Sequence, residues 1–259
     1  ETARQSYSID AVNEFDPIFE DMYDYCEAQE LEVDTLIHES GAAQMEINFL
    51  HGDAIDLADQ VFLFKRTMRE AAHRHGIYAT FMAKPMSDEP GSAMHIHQSL
   101  EDAEGRNLFG TSEGGNSALF MHFIAGLQKY TPAVTALLAP NVNSYRRLTF
   151  GESAPRNVQW GVENRTCGLR VPFSEPSARR VENRVIGADA NPYVAMAMTL
   201  ACGYLGMKNK IKPKPEMKGD AYLAPYALPR SLGEALDWLR REPDLHEVRG
   251  KEVITIYTE

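Results

Sequence analysis

Five side chains that commonly ligate metals lie on or beside predicted strands of the sequence: Glu39, Glu46, His95, His97 and Glu182. Acidic side chains and imidazoles on one face of a sheet are costly to bury unless something pairs their charges. A divalent cation would do so, and carboxylate oxygens with an imidazole suit Mg²⁺ or Mn²⁺ better than zinc. Any one of these residues alone is more often a surface acid or a hydrogen-bonded core histidine. Their recurrence on several strands favours a metal site.

Arginine is the second chemical signal, because eight arginines fall within 39 residues of a strongly acidic protein. They are Arg146, Arg147, Arg156, Arg165, Arg170, Arg179, Arg180 and Arg184. Arginine suits bidentate recognition of carboxylate and phosphate, and phosphate beside a metal indicates nucleotide chemistry. A surface lattice of salt bridges is the alternative interpretation. The sequence has no Walker A motif and no GxGxxG after a predicted strand, so it predicts neither a P-loop nor a Rossmann nucleotide site.

The pair His95 and His97 also forms an HxH motif, as in barrel-type metal-dependent amidohydrolases. That class needs further metal-binding histidines and an aspartate on later strands. The later histidines are His122, which lies in a helical pattern, and His246, which lies near the end of the chain. Neither lies on a predicted strand, and this disfavours the amidohydrolase interpretation.

The elements that would position these residues alternate between short strands and long helices. Polar and apolar residues alternate over 44–49 and 94–99, which is typical of strands with one polar face. Further strands are predicted over 31–39, 78–82, 165–171 and 179–185, and helices from Asp16-Pro17, over 56–75, from Asn116 or Ser117 to about Leu138, after Asn191-Pro192 and over 231–241. The pattern predicts an α+β fold whose antiparallel sheet has helices on one side and the site on the other.

Capping residues and glycines at the ends of the predicted helices indicate where several of these elements begin and end. Asp16 is predicted to cap its helix with Pro17 in the first turn, and Gly76 to end the 56–75 helix. Ser231 and Glu234 are spaced as a capping box. Residues 208–229 carry four prolines and are predicted to form an extended surface segment.

Composition and charge narrow the classes of function. The chain has 259 residues, of which 44% are hydrophobic and 24% charged, with a net charge of −11. This acidity disfavours general binding to nucleic acid or to a polyanionic membrane surface. The apolar run over 190–207 is predicted to be a buried helix rather than a membrane span. Three sparse cysteines and a start that does not resemble a signal peptide predict a reducing, cytoplasmic location.

Taken together, the motifs resemble one family. Segments 39–46 (ESGAAQME), 84–85 (KP), 91–99 (GSAMHIHQS), 143–148 (NSYRRL), 164–165 (NR), 168–172 (GLRVP), 178–184 (ARRVENR) and 190–193 (ANPY) occur in the order found in glutamine synthetases. The resemblance spans about residues 35–210. Segment 154–161 (APRNVQWG) resembles the branch of the family that includes gamma-glutamylpolyamine synthetases.

The resemblance implies a glutamine-synthetase-type catalytic domain over residues 1–259, incomplete at both ends. Its expected fold is a curved antiparallel sheet with helices on the outer side. The family's small N-terminal β-grasp domain, and a strand with two further metal-ligating glutamates, are absent from this sequence. The chain is therefore expected to be a fragment, the ordered part of a longer protein or a degenerate relative, and the intact site residues favour a fragment. Family precedent implies a homo-oligomer of two stacked hexameric rings with active sites between subunits.

Residue by residue, the resemblance implies where metals and substrates bind. Glu39 and Glu46 would ligate one Mg²⁺ or Mn²⁺ ion, and His95 and Glu182 a second, with two to three ions per site. The nucleotide-side residues would be His97, Ser99, Arg165, Arg170 and Arg180. Glutamate or the transferred phosphoryl group would contact Gly91, Arg147 and Arg184, and Arg147 and Arg165 would act in catalysis.

The implied reaction has two steps. ATP phosphorylates the γ-carboxylate of glutamate, and an amine or ammonium then displaces phosphate from the acyl phosphate. Catalysis of this kind consists of positioning and charge neutralisation by metals and arginines.

Three departures from the family pattern bear on the substrates. Glutamine synthetases have a loop glutamate before Ala-Pro that helps to deprotonate ammonium; here Ser153 takes that position and Glu152 precedes it. A substituted amine is therefore expected, unless Glu152 compensates by a one-residue shift. Pro90 stands where glutamine synthetases have an asparagine that contacts glutamate, which leaves the acid substrate open. The short segment near Tyr222 cannot hold the regulatory tyrosine of adenylylated enzymes. A glutamine synthetase that uses ammonium, and a catalytically silent scaffold or regulator, are the alternatives.

Overall fold

A computed structural model describes residues 4–150, 153–249 and 255–257 of the chain. In chain order, its main elements are α1 (Ile9–Asn13), α2 (Asp16–Ala28), β1 (Val33–His38), β2 (Met45–Phe49), α3 (Ala54–Arg74), β3 (Ile96–Gln98), α4 (Ala118–Leu138), α5 (Val142–Phe150), β4 (Trp160–Val162), β5 (Leu169–Val171), β6 (Val181–Asn183), α6 (Pro192–Lys208), α7 (Leu232–Arg241) and α8 (Pro243–Arg249). Short 3₁₀ turns occupy Pro176–Ala178 and Ala221–Leu223.

The strands form two sheets. β1 and β2 form an antiparallel pair, and the second sheet has the strand order β3-β6-β5-β4. In the second sheet β6 is antiparallel to β3 and to β5, but β4 and β5 are parallel. The prediction of a wholly antiparallel sheet is therefore wrong at this pair. The six residues between Val162 and Leu169 carry the chain back, so that β5 runs in the same direction as β4.

Helices α4 and α6 cover one face of the four-stranded sheet and form the main core with it. Their backbones touch at two glycines. A Cβ atom on Gly126 would lie 2.1 Å from the carbonyl oxygen of Cys202, and one on Gly206 would lie 2.2 Å from that of His122. A smaller core joins α2 and α3 to the β1–β2 pair. Helices thus lie on one side of the main sheet, as predicted, and α6 confirms the buried helix predicted over 190–207.

Side-chain caps explain where the long helices begin. Asp53, Ser117, Asn191 and Ser231 each accept a backbone hydrogen bond at the first turn of α3, α4, α6 and α7. The predicted capping box is confirmed in one of its two hydrogen bonds, since Ser231 Oγ accepts from the N–H of Glu234 at 3.2 Å. The Glu234 carboxylate accepts at 2.8 Å from the N–H of Arg230, the residue before the cap, and not from that of Ser231. The prediction that Asp16 caps α2 is wrong. Phe15 is the cap residue, and Asp16 is the first helical residue, where its negative charge favours the helix dipole.

The predicted strand over 78–82 is absent from the described structure. These residues form no regular secondary structure, and Phe81 packs edge-on against Phe64 of α3, with ring centroids 6.4 Å apart, while Tyr78 is 89% exposed. Packing onto a helix therefore replaces strand pairing here. The strands predicted over 31–39, 165–171 and 179–185 do form, but they are shortened to β1, β5 and β6.

The segment after α6 does not run freely over the surface. Its residues 210–220 form no helix or strand, and they lie along β4. The N–H of Met217 donates to the carbonyl of Trp160 at 2.8 Å, and Trp160 Nε1 donates to the carbonyl of Lys214 at 2.7 Å. Ala221 and Leu228 are buried. The segment is therefore docked on the edge of the main sheet.

Hydrogen bonds connect the turn before α6 to α3 and to α5. Lys65 of α3 donates to the carbonyls of Ala188 and Ala190 at 2.7 and 2.9 Å. Asp189, between them, accepts from Ser144 Oγ of α5 at 2.6 Å. Burial lowers the pKa of Lys65 to about 8, although the charge of Asp189 opposes that shift.

Stability should depend on pH through Lys65. Its folded pKa lies below the ordinary lysine value, so the unfolded chain binds more protons between about pH 8 and 10.5 and the free energy of unfolding rises with pH across this window. We expect the wild type to gain on the order of 2 kcal/mol over Lys65→Gln as pH rises from 7.5 to 10.5. Urea unfolding of the wild type and of Lys65→Gln measures this difference in the free energy of unfolding. The titrations of groups that both proteins share cancel in the difference. A difference that does not change with pH would contradict the assignment.

Over residues 4–150, 153–249 and 255–257, no helix combines the length and the apolarity that crossing a membrane requires.

Candidate functional site

The register of the main sheet places three charged or titratable side chains in a row across adjacent strands. His97 of β3 lies opposite Glu182 of β6, and Glu182 lies opposite Arg170 of β5. Successive side chains of a strand point to opposite faces. Leu169 and Val181 are buried in the core with α4 and α6, so the row of His97, Glu182 and Arg170 lies on the other face. This confirms the prediction that the polar residues occupy the face without helices.

Glu182 is the centre of the site, with a side chain only 3% exposed. Its carboxylate accepts hydrogen bonds from Arg184 Nη1 at 2.6 Å and from Arg170 Nη1 at 2.8 Å. His95 Nδ1 lies 3.2 Å from the same carboxylate. Burial lowers the pKa of His95 to about 3, so its imidazole is neutral at pH 7. Burial alone would raise the pKa of Glu182, but its positively charged arginine neighbours lower it to about 2. Glu182 is therefore ionised at neutral pH.

A pair of acidic side chains, Glu39 and Glu46, lies where β1 leads into β2. The N–H of Glu39 donates to the carbonyl of Gln44 at 2.7 Å, which closes the hairpin, and the carboxyl groups of Glu39 and Glu46 hydrogen-bond to each other. Burial raises the pKa of Glu46, and the negative charges of Glu39 and Glu182 raise it further, although a hydrogen bond from Asn48 opposes the shift. Acidic groups therefore crowd together here and lack full compensation by positive charge.

The predicted metal ligands are arranged as two pairs, Glu39 with Glu46 and His95 with Glu182. Among the described residues, no three acidic, histidine or cysteine side chains are grouped closely enough to hold a metal ion. The donor chemistry nevertheless fits a hard divalent cation, because three carboxylates and one imidazole are the available ligands. The raised pKa of Glu46 fits as well, since a cation would neutralise the crowded charges. Each pair would need further ligands to complete a coordination sphere.

Arg180 joins His97 on the nucleotide side of the predicted site. Arg180 Nε donates to His97 Nδ1 at 3.2 Å, which leaves Nε2 of the ring 3.9 Å from Glu182. Burial lowers the pKa of His97, and the positive charge of Arg180 favours the same direction. The imidazole is therefore neutral at pH 7, with Nε2 carrying the proton.

Two other predicted nucleotide residues, Ser99 and Arg165, are exposed. Ser99 is exposed one residue beyond the end of β3. Arg165 is exposed in the return between β4 and β5. The structure thus gathers His97, Arg170 and Arg180 around Glu182, and leaves Arg165 and Ser99 facing solvent.

Two predicted substrate residues are engaged in packing. Arg147 is only 2% exposed and donates to the carbonyls of Arg184 and Val185, both at 2.8 Å. A Cβ atom on Gly91 would lie 2.7 Å from Arg147 Cγ and 2.7 Å from the carbonyl oxygen of Ala83. These contacts fix the end of β6 without a substrate, so direct substrate binding by Arg147 and Gly91 stays a prediction.

Arg184 is placed more favourably for a ligand. Its side chain is 10% exposed, and one Nη pairs with Glu182. In the described part of the chain, the Nε atoms of Arg184 and Arg170 are buried without a hydrogen-bond partner. Buried donors of this kind normally have partners. Ser153 is exposed, and Glu152 lies outside the described residues.

Sequence reasoning missed two residues that organise the site. Gln44 donates from Nε2 to the carbonyl of Gly91 at 3.0 Å and so joins the β1–β2 hairpin to the segment before β3. Glu163 accepts from Arg170 Nη2 at 3.1 Å and shares that arginine with Glu182. Two features of the sequence pointed to these residues. Gln44 shares a predicted strand face with Glu46, and Glu163 immediately precedes the Asn-Arg motif.

Comparison with known proteins identifies relatives along the whole chain. The family model described as glutamine synthetase, catalytic domain, matches residues 1–259. Gamma-glutamylputrescine synthetase of Escherichia coli is 39% identical over 248 residues, covering 93% of this chain and 52% of the relative. Glutamate–isopropylamine ligase of a Pseudomonas species is 41% identical over 201 residues (77% and 44%), and glutamine synthetase of Pyrococcus abyssi is 41% identical over 227 residues (84% and 51%). The chain spans about half the length of these relatives.

Comparison of the fold with solved structures agrees with the comparison of sequences. The ligand-free structure of GmaS matches with a TM-score of 0.89 at 30% sequence identity, covering 100% of this chain and 61% of that one. A GmaS complex with ADP matches with the same TM-score at 31% identity. These matches confirm the resemblance that the motifs indicated. The chain belongs to the glutamine synthetase family and corresponds to its catalytic domain.

Proposed function

We propose that the protein containing this chain is an ATP-dependent ligase that joins the γ-carboxylate of glutamate to an amine. The γ-carboxylate would attack the γ-phosphorus of ATP and release ADP. The amine nitrogen would then attack the acyl carbon of γ-glutamyl phosphate and expel inorganic phosphate, with loss of a proton from nitrogen. The observation that carries the proposal is the buried Glu182 carboxylate, paired with two arginines and a histidine on the helix-free face of the sheet.

Phosphoryl transfer is mainly a problem of positioning and charge, so the arginines carry much of the proposed mechanism. We assign Arg165, Arg170 and Arg180 to the ATP phosphates, together with His97 and Ser99. Because Glu163 and Glu182 hold Arg170 from two sides, its guanidinium is oriented before ATP binds. Arg180 likewise orients the His97 ring.

The proposed metal ligands are Glu39, Glu46, His95 and Glu182, with two to three Mg²⁺ or Mn²⁺ ions per site. Bound ions would neutralise the charge of the phosphates. The chain's own contribution is to keep Glu182 ionised and fixed in orientation, since two arginines hold its oxygens. Glu39 and Glu46 supply the second set of carboxylate oxygens.

Glutamate is assigned to Arg184, with Gly91 and Arg147. Arg184 has a buried Nε donor without a partner in the described structure, next to the Glu182 carboxylate. Arg147 would act chiefly by fixing the backbone of Arg184 and Val185. The names of the relatives support glutamate as the acid, since one is a glutamate–isopropylamine ligase and another a gamma-glutamylputrescine synthetase.

The amine is assigned to the region of Ser153 and Glu152. A carboxylate at position 153 would attract ammonium and take its proton, whereas serine leaves room for a carbon substituent on nitrogen. Relatives named for putrescine and isopropylamine fit a substituted amine. If Glu152 takes the carboxylate's place, the protein is instead a glutamine synthetase that uses ammonium, and relatives with that name favour this second candidate.

Ser153→Glu should change the choice of amine. We expect the ratio of kcat/KM for ammonium to that for the best amine to rise about tenfold, because a carboxylate stabilises the small cation and crowds a larger one. Steady-state ADP formation with each nitrogen donor measures the ratio. Ser153→Gln adds the same bulk without charge and should lower activity with the amine without raising it with ammonium. An unchanged ratio in Ser153→Glu would place the amine elsewhere.

The proposed function is tested by ADP formation in the full-length protein with Mg²⁺, ATP and glutamate. Ammonium is compared with a panel of monoamines, diamines and polyamines. Turnover with one amine far above ammonium supports the ligase, and ammonium as the best substrate supports the glutamine synthetase. If no donor gives turnover, and Mn²⁺ with an ATP analogue does not raise the melting temperature, the chain is a catalytically silent relative.

We also propose that the protein is cytoplasmic and forms a homo-oligomer of two hexameric rings. Family precedent supports the assembly, and the incomplete pairs of metal ligands agree with a site that needs residues from outside this chain. Size-exclusion chromatography with light scattering of the full-length protein tests the oligomeric state.

A further inference from the structure

Arg165 lies in a short irregular return, where its orientation is not set by strand pairing. The return comprises residues 163–168 between β4 and β5, and Arg165 is exposed within it. A long exposed side chain on such a loop samples many orientations, and fixing it has an entropic cost. An arginine that must meet a phosphate therefore benefits from a rigid backbone on both sides.

Asn164, the residue before Arg165, uses its whole amide group in hydrogen bonds. Its Nδ2 donates to the carbonyls of Gly219 at 2.8 Å and Met217 at 3.3 Å. Its Oδ1 accepts from the N–H of Thr166 at 3.1 Å and from Thr166 Oγ1 at 2.6 Å. These four contacts use the full donor and acceptor capacity of an amide side chain.

Thr166, the residue after Arg165, is attached to the same place. Its Oγ1 accepts from the N–H of Ala221 at 2.8 Å while it donates to Asn164. We call residues 212–223 the docked segment; both neighbours of Arg165 are hydrogen-bonded to it. The docked segment is in turn held to β4 through Trp160, which contacts Lys214 and Met217.

From these contacts we propose that Asn164 is a positioning residue that holds Arg165 in place for phosphate by clamping the return to the docked segment. Asn164 acts through the backbone and through Thr166, and does not itself touch substrate. The inference rests on the proposed function, since the phosphate role of Arg165 is part of it. It adds that the contacts of Asn164 and Thr166 with the docked segment set the geometry of the phosphate site.

The first test is Asn164→Asp in the full-length protein. The side chain keeps its size and one acceptor oxygen, but a carboxylate oxygen replaces the Nδ2 donor and faces the carbonyls of Met217 and Gly219. We expect kcat/KM for ATP to fall 10- to 100-fold while KM for the amine stays within twofold. Wild-type values of both parameters in Asn164→Asp would overturn the proposal.

Two variants at Thr166 test the same clamp if Asn164→Asp folds poorly. Thr166→Val removes the hydroxyl that links Asn164 to Ala221, and should lower kcat/KM for ATP about tenfold. Thr166→Ser keeps the hydroxyl and should restore it to within twofold of wild type. Equal kinetics for the valine and serine variants would contradict a role for the hydroxyl.

Trp160→Phe is the matched control. It removes the hydrogen bond to Lys214 and so loosens the docked segment at another point, without touching the contacts of Asn164 or Thr166. We expect kcat/KM for ATP to stay within threefold of wild type. A loss as large as that of Asn164→Asp would show that general loosening, and not the clamp, governs the rate.

The decisive measurement is a double-mutant cycle with Arg165→Ala. If Asn164 acts by positioning Arg165, adding Asn164→Asp to Arg165→Ala should change the residual rate less than twofold. A merely structural role would lower the rate again by the full factor. Failure of the proposed function is seen separately, because the wild type would then show no turnover with any amine. In that case the affinity of each variant for an ATP analogue replaces kcat/KM, and an unchanged affinity in Asn164→Asp overturns the inference.

Discussion

Replacing Glu182 with glutamine is expected to abolish turnover and to lower the free energy of unfolding by about 3–5 kcal/mol. The carboxylate is the shared partner of Arg170 at 2.8 Å and Arg184 at 2.6 Å, and all three side chains are largely buried. Glutamine has nearly the same shape but no charge, so Arg184 would lose its counter-charge away from water and Arg170 would keep only the half-exposed Glu163. The variant would also lose one of the proposed metal ligands.

The two effects of Glu182→Gln can be measured separately. Urea unfolding at pH 7 in the presence of EDTA reports the folding effect without metal, and ADP formation reports catalysis. Glu163→Gln is the control, because Glu163 also pairs with Arg170 but is 49% exposed. An exposed pair of this kind contributes about 1 kcal/mol or less. If the two substitutions destabilise the protein equally, Glu182 is not the electrostatic centre of the site.

Gly126→Ala is expected to destabilise the protein by about 3 kcal/mol, because overpacking a tight backbone contact forces the packed elements apart. The added Cβ would lie 2.1 Å from the carbonyl oxygen of Cys202 and 2.8 Å from Cα of Gly206. Both are main-chain atoms of α6, so no side chain can rotate away to make room. Separating α4 from α6 would disturb the core under the whole four-stranded sheet.

Gly233→Ala provides a control with the same chemical change and the opposite expected sign. Gly233 lies in the first turn of α7, and nothing lies within 4 Å of the position that its Cβ would occupy. Alanine in an open helical site should stabilise the protein by about 0.5–1 kcal/mol, since glycine is the poorer helix former. Thermal and urea unfolding measure both variants. Destabilisation by both would show that loss of glycine, and not crowding between α4 and α6, causes the effect.

Much of the fold is predictable from local patterns in the sequence. Alternation identified the polar face of the main sheet, and cap residues such as Ser117 and Asn191 identified where helices begin. The parallel pairing of β4 with β5 was not predictable in this way, because it depends on which strand a three-residue segment finds as a partner. The segment over 78–82 shows the same limit, since Phe81 packs on a helix instead of entering a sheet.

The candidate site was predictable in its residue types and less so in its contacts. The pair of His95 and Glu182 was predicted from the motifs, and the two side chains lie together in the structure, whereas the contacts of Glu182 with Arg170 and Arg184 were not predicted. The sequence could not show that Arg147 donates to backbone carbonyls, because an arginine in a motif gives no indication of its partner. The role of Glu163 was missed for the same reason.

The return between β4 and β5 also restricts how this protein can be redesigned. To run parallel again, the chain must travel back along three strand residues, about 10 Å, and step sideways by about 4.8 Å. Six extended residues reach roughly 20 Å, about twice the minimum of roughly 11 Å that these two displacements require. Deleting two residues would shorten the reach to roughly 13 Å and leave almost no excess length, and an insertion would free the backbone on both sides of Arg165. Loop grafts intended to change the substrate must therefore keep the number of residues between Val162 and Leu169, and must also keep Asn164 and Thr166 as the contacts to the docked segment.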